Sequence, residues 1–359
     1  MSDIVAPTDL GTAGTANPEY VTARVRSRRA ALFDEEDYRK LVRMGPGGIA
    51  RYMEDTEYET EINALGARFS GVDLIEYALN RNLAKHFEDL LHWAEGSLYD
   101  LIARYLRKFD AWNVKTALRG IYSDAGPEAI RTDYVRAGEL HHATLDQLSE
   151  ADSIETAIDA LEGTIYHEPL TEAFEEYEAS DSLVPLENAV DRAFYQRQLR
   201  RIPAEREGPV ALYVEFLQAE VDFLNVRNTM RLARSGADMD PAAYFIEGGR
   251  LFDAAEVRRL AADQDDLVAF IRESEYGEEL DDALDRLEAA DSMIAFEHSL
   301  DAALLAYADH LSSVYPVSIT AVMGYVLAKE REVENIRAIA RGREVGLGEE
   351  EIQNELVIT

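Results

Sequence analysis

The 359-residue sequence contains no cysteine, which excludes disulfide bonds, thiolate zinc sites and a cysteine nucleophile. Long apolar runs are also lacking. The nearest one, residues 315–328, is interrupted by Ser318, Thr320 and Gly324 and is shorter than the ~20 residues of a membrane-spanning helix. The small, polar residues at the start lack the basic-then-apolar order of a signal peptide. We therefore expect a soluble protein without a transmembrane segment.

Basic residues are scarce relative to acids. There are 36 Lys and Arg against 70 Asp and Glu, a formal net charge of −34. Such a chain repels polyanions, which excludes nucleic acid as the main partner. The acids are spread along the whole chain, which favours adaptation to concentrated salt over a local acidic ligand site. Salt at 1 M screens charges within roughly 3 Å, so we predict a halophilic source.

The signatures of common catalytic sites are missing as well. The glycine-rich residues 45–48 lack the following Lys-Ser/Thr of a phosphate-binding loop, and no nucleophile elbow or dinucleotide fingerprint occurs. A di-iron bundle would need paired Glu-x-x-His segments. Glu139 and His142 form one, but Asp89 and His92 only approximate a second, and neither recurs along the chain. We expect no catalytic residue, no metal and no cofactor.

What the sequence does contain is one motif in three copies: acid, two residues, Asn, β-branched apolar residue, base, three residues, Arg. The copies span residues 110–120, 222–231 and 332–342 and start 112 and then 110 positions apart (222 − 110 and 332 − 222). Two further landmarks precede each copy in fixed order. They are a Thr/Ser-x-Tyr segment, which ends at Tyr58, Tyr166 and Tyr276, and a glutamate at Glu76, Glu187 and Glu297. The chain is therefore three copies of one unit.

Strand-like alternation is scarce, so each unit is predicted to be a helical bundle. Turn residues at 124–127 and 235–238 separate the units. We predict an all-α fold of three tandem, similar helical-bundle domains. Its segments are a flexible N-terminal tail (1–19) and helical repeats at 20–124, 125–236 and 237–359.

Each motif is predicted to end a long amphipathic helix. In the first unit this helix runs from a cap at Ser97 to Gly120, with apolar residues spaced three and four apart up to Trp112. In the third unit the apolar stripe is displaced by one residue. We predict that the third helix faces a different neighbour. The three repeated tyrosines are predicted to be core residues or to lie at helix starts.

The basic residues of the motif allow two interpretations. In the favoured, structural one, an Arg at the margin of a buried face needs an acidic partner, for which Glu76, Glu187 and Glu297 are the candidates. In the other, each Arg and the base four residues before it form one of three symmetric basic faces that dock acidic groups of a partner. The residues concerned are Lys115, Arg119, Arg227, Arg231, Arg337 and Arg341.

Taken together, these segments resemble the C-subunit family of archaeal A-type ATP synthases, which is similar to the d subunit of vacuolar ATPases. The resemblance rests on residues 20–26 (Tyr-Val-Thr-Ala-Arg-Val-Arg), the Thr-x-Tyr at 56–58, and the motif copies at 112–120 and 332–342. It covers residues 20–359. The second unit departs from it at Leu232, where the other copies have glycine.

The resemblance implies a pseudo-threefold funnel with no active site. A protein of this family lies peripherally on the cytoplasmic face of the cell membrane, in the central stalk. It joins the proteolipid ring of K subunits to the shaft of D and F subunits, within a complex that also contains A, B, E, H and I subunits. Ion-driven rotation would pass through it to drive ATP synthesis. The alternatives are a generic acidic helical-repeat scaffold and a metal-dependent bundle enzyme.

Overall fold

A computed structural model describes residues 16–199, 208–235, 240–289, 293–354 and 356–357. These residues are helical and include no β-strand, which confirms the predicted all-α class. None of their helices is long and apolar enough to cross a membrane. The predicted N-terminal tail lies mostly outside the described residues.

The helices fall into three successive groups, each ending in a motif helix. The first group is α1 (Pro18–Arg29), α2 (Glu35–Leu41), α3 (Pro46–Met53), α4 (Glu59–Leu65), α5 (Gly71–Trp93), α6 (Gly96–Leu106) and α7 (Lys108–Tyr122). The second is α8 (Pro127–Thr132), α9 (His142–Glu150), α10 (Ile154–Asp159), α11 (His167–Ser180), α12 (Val184–Leu199) and α13 (Gly208–Ser235). After a 3₁₀ turn at Pro241–Tyr244, the third is α14 (Ala254–Leu260), α15 (Gln264–Arg272), α16 (Gly277–Ala289), α17 (Met293–Val314), α18 (Ile319–Val345) and α19 (Glu349–Asn354).

The first motif helix differs from its prediction at both ends. The expected single helix from Ser97 to Gly120 is divided into α6 and α7 at Arg107. At this point the backbone forms a turn in which the carbonyl of Arg107 accepts a hydrogen bond from the amide of Asp110, three residues later. The corresponding α13 and α18 run unbroken for 28 and 27 residues.

Gly120 does not end its helix, because α7 continues to Tyr122. Its role is close packing: a Cβ at this position would lie 2.4 Å from Cγ1 of Ile130 in α8. Gly342, the equivalent residue of the third motif, lies in the same way against Ile352 of α19. The glycine after the motif arginine therefore lets the next helix approach.

Each motif helix packs against the long helix of the following unit. α7 lies on α12, α13 lies on α17, and α18 returns to lie on α5 near the start of the chain. The buried side chains follow this offset, since a smaller core combines residues 111–118 of α7 with α8 to α12. Most of the other buried apolar residues form one larger core that includes both α1 and α18. The first bundle is therefore completed by the last long helix.

Candidate functional site

The acids that begin the first two motifs bind backbone amides of a later segment. The carboxylate of Asp110 accepts the amides of Glu139 and Leu140 at 2.8 and 2.9 Å. Asp222 does the same one unit later, accepting the amides of Arg250 and Leu251. Burial raises the pKa of Asp110 to about 6 and also raises that of Asp222.

Two repeated glycines let these acids approach the chain. A Cβ on Gly138 would stand 2.0 Å from an oxygen of Asp110, and a Cβ on Gly249 would stand equally close to Asp222. A residue with a side chain therefore does not fit at position 138 or 249. A Gly-x-Leu sequence follows each of the first two motifs, at residues 138–140 and 249–251, and it is the partner of the motif acid there.

Glu332 is the acid of the third motif, and it binds the N-terminal part of the chain. Its carboxylate accepts the amide of Phe33 at 2.5 Å and the hydroxyl of Tyr58 at 2.7 Å. Lys329 lies beside it with Nζ at 2.7 Å, and both side chains are almost completely buried. Burial lowers the pKa of Lys329 despite the charge of Glu332. The hydrogen bonds of Phe33 and Tyr58 to this buried ion pair therefore join the N-terminal part of the chain to α18.

The motif asparagine makes a two-bond clasp with one backbone residue in all three copies. Its Nδ2 donates to that residue's carbonyl and its Oδ1 accepts that residue's amide, at 2.8 to 3.0 Å. The pairs are Asn113 with Val135, Asn225 with Ile246, and Asn335 with Val357. An asparagine supplies the one donor and one acceptor that such a clasp needs.

In the first two motifs, one short segment serves both the asparagine and the acid: residues 135–140 after the first and 246–251 after the second. For the third motif the two bonds come from opposite ends of the chain, since Val357 holds Asn335 and Phe33 holds Glu332. The asparagine clasp is therefore equivalent in the three copies, whereas the acid of the third motif binds a different segment. The prediction of a different neighbour for the third helix is confirmed for this acid and for the packing of α18 against α1. It is wrong for the clasp and for the packing of α18 on α5.

The motif arginine of each unit contacts the repeated glutamate of the next unit. Arg119 and Arg231 donate to their partners at 2.5 Å, and Arg341 makes the same bond to the first unit. The pairs are Arg119–Glu187, Arg231–Glu297 and Arg341–Glu76. The order of contacts is thus first to second, second to third, and third back to first. We name these three ion pairs the closing pairs.

A basic residue lies four positions before each motif arginine. It contacts the residue that lies four positions after the glutamate of the same closing pair. Lys115 binds Asp191 at 2.6 Å, and Arg227 binds Asp301. Burial raises the pKa of Asp301, but the charges of Arg227 and Arg331 outweigh burial and hold it below its usual range. In the third copy the partner is uncharged: Arg337 donates to Oδ1 of Asn80 at 2.6 Å.

A further set of charges lies two residues before each motif acid. Lys108, Glu220 and Glu330 occupy equivalent positions in the three copies, and they meet: Nζ of Lys108 is 2.9 Å from Glu330 and 3.9 Å from Glu220. The hydroxyl of Tyr105 also donates to Glu220, at 2.8 Å. Burial raises the pKa of Glu220 to about 6. We name Lys108, Glu220 and Glu330 the central triad.

Sequence reasoning missed the central triad. Its available signal was the constant two-residue offset from the motif acid. The pattern was obscured because one copy has lysine where the others have glutamate. The repeated tyrosines, in contrast, lie as predicted: Tyr58, Tyr166 and Tyr276 are buried, and each directly precedes a helix.

The six candidate basic residues do not form an uncompensated face. Five of them contact a carboxylate, and the sixth, Arg337, contacts Asn80. The side chains of Arg119, Arg231 and Arg341 are about half exposed even so. Among the residues described, no three His, Asp or Glu side chains are grouped so as to hold a metal ion. The arrangement joins helices to one another.

The sequence profile of the ATP synthase (C/AC39) subunit family matches residues 21–355. The chain is 61% identical over 350 residues to the A-type ATP synthase C subunit of Halorubrum lacusprofundi, covering 98% of this chain and all of that protein. It is equally similar to the protein of the same name from Haloferax volcanii, over 97% of this chain. The C subunit of the Methanosarcina acetivorans A-type ATP synthase is 34% identical, over 96% of this chain and 94% of its own.

Proposed function

Because this chain belongs to the ATP synthase (C/AC39) subunit family, we propose that it is the non-catalytic central-stalk coupler of an A-type ATP synthase. It joins the membrane proteolipid ring, built of K subunits, to the shaft formed by the D and F subunits. Its place is peripheral, on the cytoplasmic face of the membrane, in a complex that also holds A, B, E, H and I subunits. Rotation of the ring by ion flow passes through it to the headpiece.

The observation that carries this proposal is the cyclic order of the closing pairs. A part that transmits torque must not unwind when its two faces are turned against each other. Three units joined in a closed circle resist such unwinding, because every unit is held by both others. We infer three similar bundles around a pseudo-threefold axis, with sequence boundaries near residues 124 and 236. The axis would pass near the central triad.

We assign the motif bases and the repeated glutamates to this internal joining, not to docking. The reason is electrostatic: a guanidinium that already contacts a carboxylate presents little net charge to a partner. Arg231→Gln combined with Glu297→Gln tests the assignment. The double variant should be less stable than the wild type but should enter the synthase complex normally. Lost assembly at unchanged stability would instead favour the docking face.

Purification of the tagged protein from membranes in concentrated salt tests the coupling role itself. We expect the catalytic headpiece subunits, the shaft subunits and the proteolipid to purify with it in fixed proportion. A generic acidic scaffold would not bring the proteolipid. A preparation that contains neither proteolipid nor ATPase activity would contradict the proposal.

A further inference from the structure

The third motif breaks the charge pattern of the other two at one position. Asp191 and Asp301 each neutralise a motif base, but the equivalent residue that meets Arg337 is Asn80. The asparagine also donates to the carbonyl of Thr132. Throughout the described part of the chain, no carboxylate forms an ion pair with Arg337.

The surroundings of Arg337 favour the binding of a negative charge. The Nε atom of this arginine, like that of Arg227, is buried and has no hydrogen-bond partner, but Arg337 also lacks an ion pair among the described residues. A guanidinium keeps its charge at every relevant pH, so a buried one without an anion is costly. Burial lowers the pKa of Arg337 despite the charge of Asp133, whereas for Arg227 the charge of Asp301 outweighs burial and raises the pKa. Equivalent positions thus differ in how well the charge is compensated.

A cleft of about 350 Å³ adjoins Arg337, between α7 and α18. Three arginines, Arg119, Arg337 and Arg341, are among the residues that line it, but only one acidic residue, Asp133. Asp133 lies 3.5 Å from Arg341, which also contacts Glu76. Arg119 and Arg341 are compensated by their closing pairs, so Arg337 is the guanidinium at this cleft that has no ion pair among the described residues.

We propose that this cleft binds a small inorganic anion, chloride or phosphate, against Arg337. The anion supplies the negative charge that an aspartate supplies in the other two copies. The cleft has room for either ion, and a guanidinium offers the forked donors that halides and oxyanions accept. The site would let dissolved anions stabilise the contact between the third and first units.

Anomalous scattering locates the ion directly. Crystals of the full chain grown in potassium bromide should show a bromide within hydrogen-bond distance of the guanidinium of Arg337, and none beside Lys115 or Arg227. A second crystal soaked in inorganic phosphate distinguishes the two anions. Absence of both ions from the cleft would overturn the proposal. So would equal occupancy at solvent-exposed arginines elsewhere, which would mean an adventitious ion only.

Thermal unfolding tests the site in solution. At constant potassium concentration, replacing methanesulfonate by chloride or phosphate should raise the Tm of the wild type by about 2–4 °C, as expected for one well-occupied site in a chain of this size. Arg337→Gln should lose this dependence. It should be no less stable than the wild type without the anion, because it removes a buried charge that has no ion-pair partner.

Arg227→Gln is the matched control, since it removes a base that already contacts a carboxylate. It should lower the Tm at every anion concentration and keep the wild-type anion dependence. If Arg337→Gln does not fold, Asn80→Asp replaces it and should also lose the dependence, because it brings a carboxylate to Arg337. An anion dependence that persists in these site variants would overturn the proposal.

Discussion

At the scale of single residues, the central triad is one place where equivalent positions of the three units carry different charges. Three glutamates there would repel one another, while one lysine between two glutamates holds them together. The balance is incomplete, because Oε2 of Glu220 is buried without a partner. The first unit carries the lysine and the other two carry the glutamates, so the triad distinguishes the first unit from the other two.

Glu220→Gln should stabilise the protein above pH 6. Burial raises the pKa of Glu220 from 4.5 to about 6, so the folded state binds the proton more tightly than the unfolded state. The wild type therefore has this stability below pH 4.5 and loses it as the pH rises through 6. The variant does not lose it, and its advantage at pH 8 should be about 2 kcal/mol. Chemical denaturation across pH measures the difference.

The exposed Glu54→Gln is the control for that substitution and should change the stability by less than about 0.5 kcal/mol at every pH. If the advantage of Glu220→Gln does not shrink as the pH falls from 8 to 4, the buried, ionised state assigned to Glu220 is wrong.

At the scale of helices, the motif predicted the positions of the long helices but not all of their limits. The apolar stripe continues through Arg107, so spacing alone contains no signal for the division between α6 and α7. The local sequence around a glycine near the end of a helix is the same whether the glycine ends the helix or allows a neighbouring helix to pack closely. Only the contact of Gly120 with Ile130 distinguishes the two roles.

The pattern also located the repeated arginines and glutamates without indicating which copies meet. Spacing within a unit describes one bundle, whereas each closing pair joins two units that are distant in sequence. Arg341 and Glu76 are 265 positions apart. The identity of the partner depends on tertiary packing, namely the return of α18 to α5.

Removing residues 356–359 should destabilise the first bundle. The truncation deletes both hydrogen bonds of Asn335 and the buried side chain of Val357. Two buried hydrogen bonds and one apolar side chain together contribute about 3 kcal/mol. Denaturation should show this loss, and hydrogen exchange should show faster exchange in α18.

Removing only residues 358–359 is the control for the longer truncation, because it leaves Val357 and its contacts in place. Equal stability of the two truncated chains would mean that the clasp of Asn335 contributes nothing.

At the scale of the whole molecule, the cyclic order of contacts matters more than the strength of any one pair. Exposed ion pairs contribute only about 0.2–1 kcal/mol each. The buried contacts of Glu332 and Asn335 add to them by joining both ends of the chain to α18. The net charge of −34 accords with the haloarchaeal relatives, since concentrated salt screens the repulsion within such a molecule.

Charge reversal tests the pair that completes the circle. Arg341→Glu should destabilise the protein by placing two carboxylates together, and Glu76→Arg in the same chain should restore much of the loss. We expect a coupling energy of about 0.5–1 kcal/mol, because the arginine is half exposed. A double-mutant cycle of unfolding measures it. Additive effects of the two substitutions would show that the pair does not couple the two units.

The proposed coupling role is tested most directly by ATP synthesis driven by an ion gradient, measured in membrane vesicles from cells that lack this protein. Synthesis should be absent and should return when the purified protein is restored, while ATP hydrolysis by the headpiece persists throughout. Gradient-driven synthesis at the normal rate without the protein would contradict the coupling role.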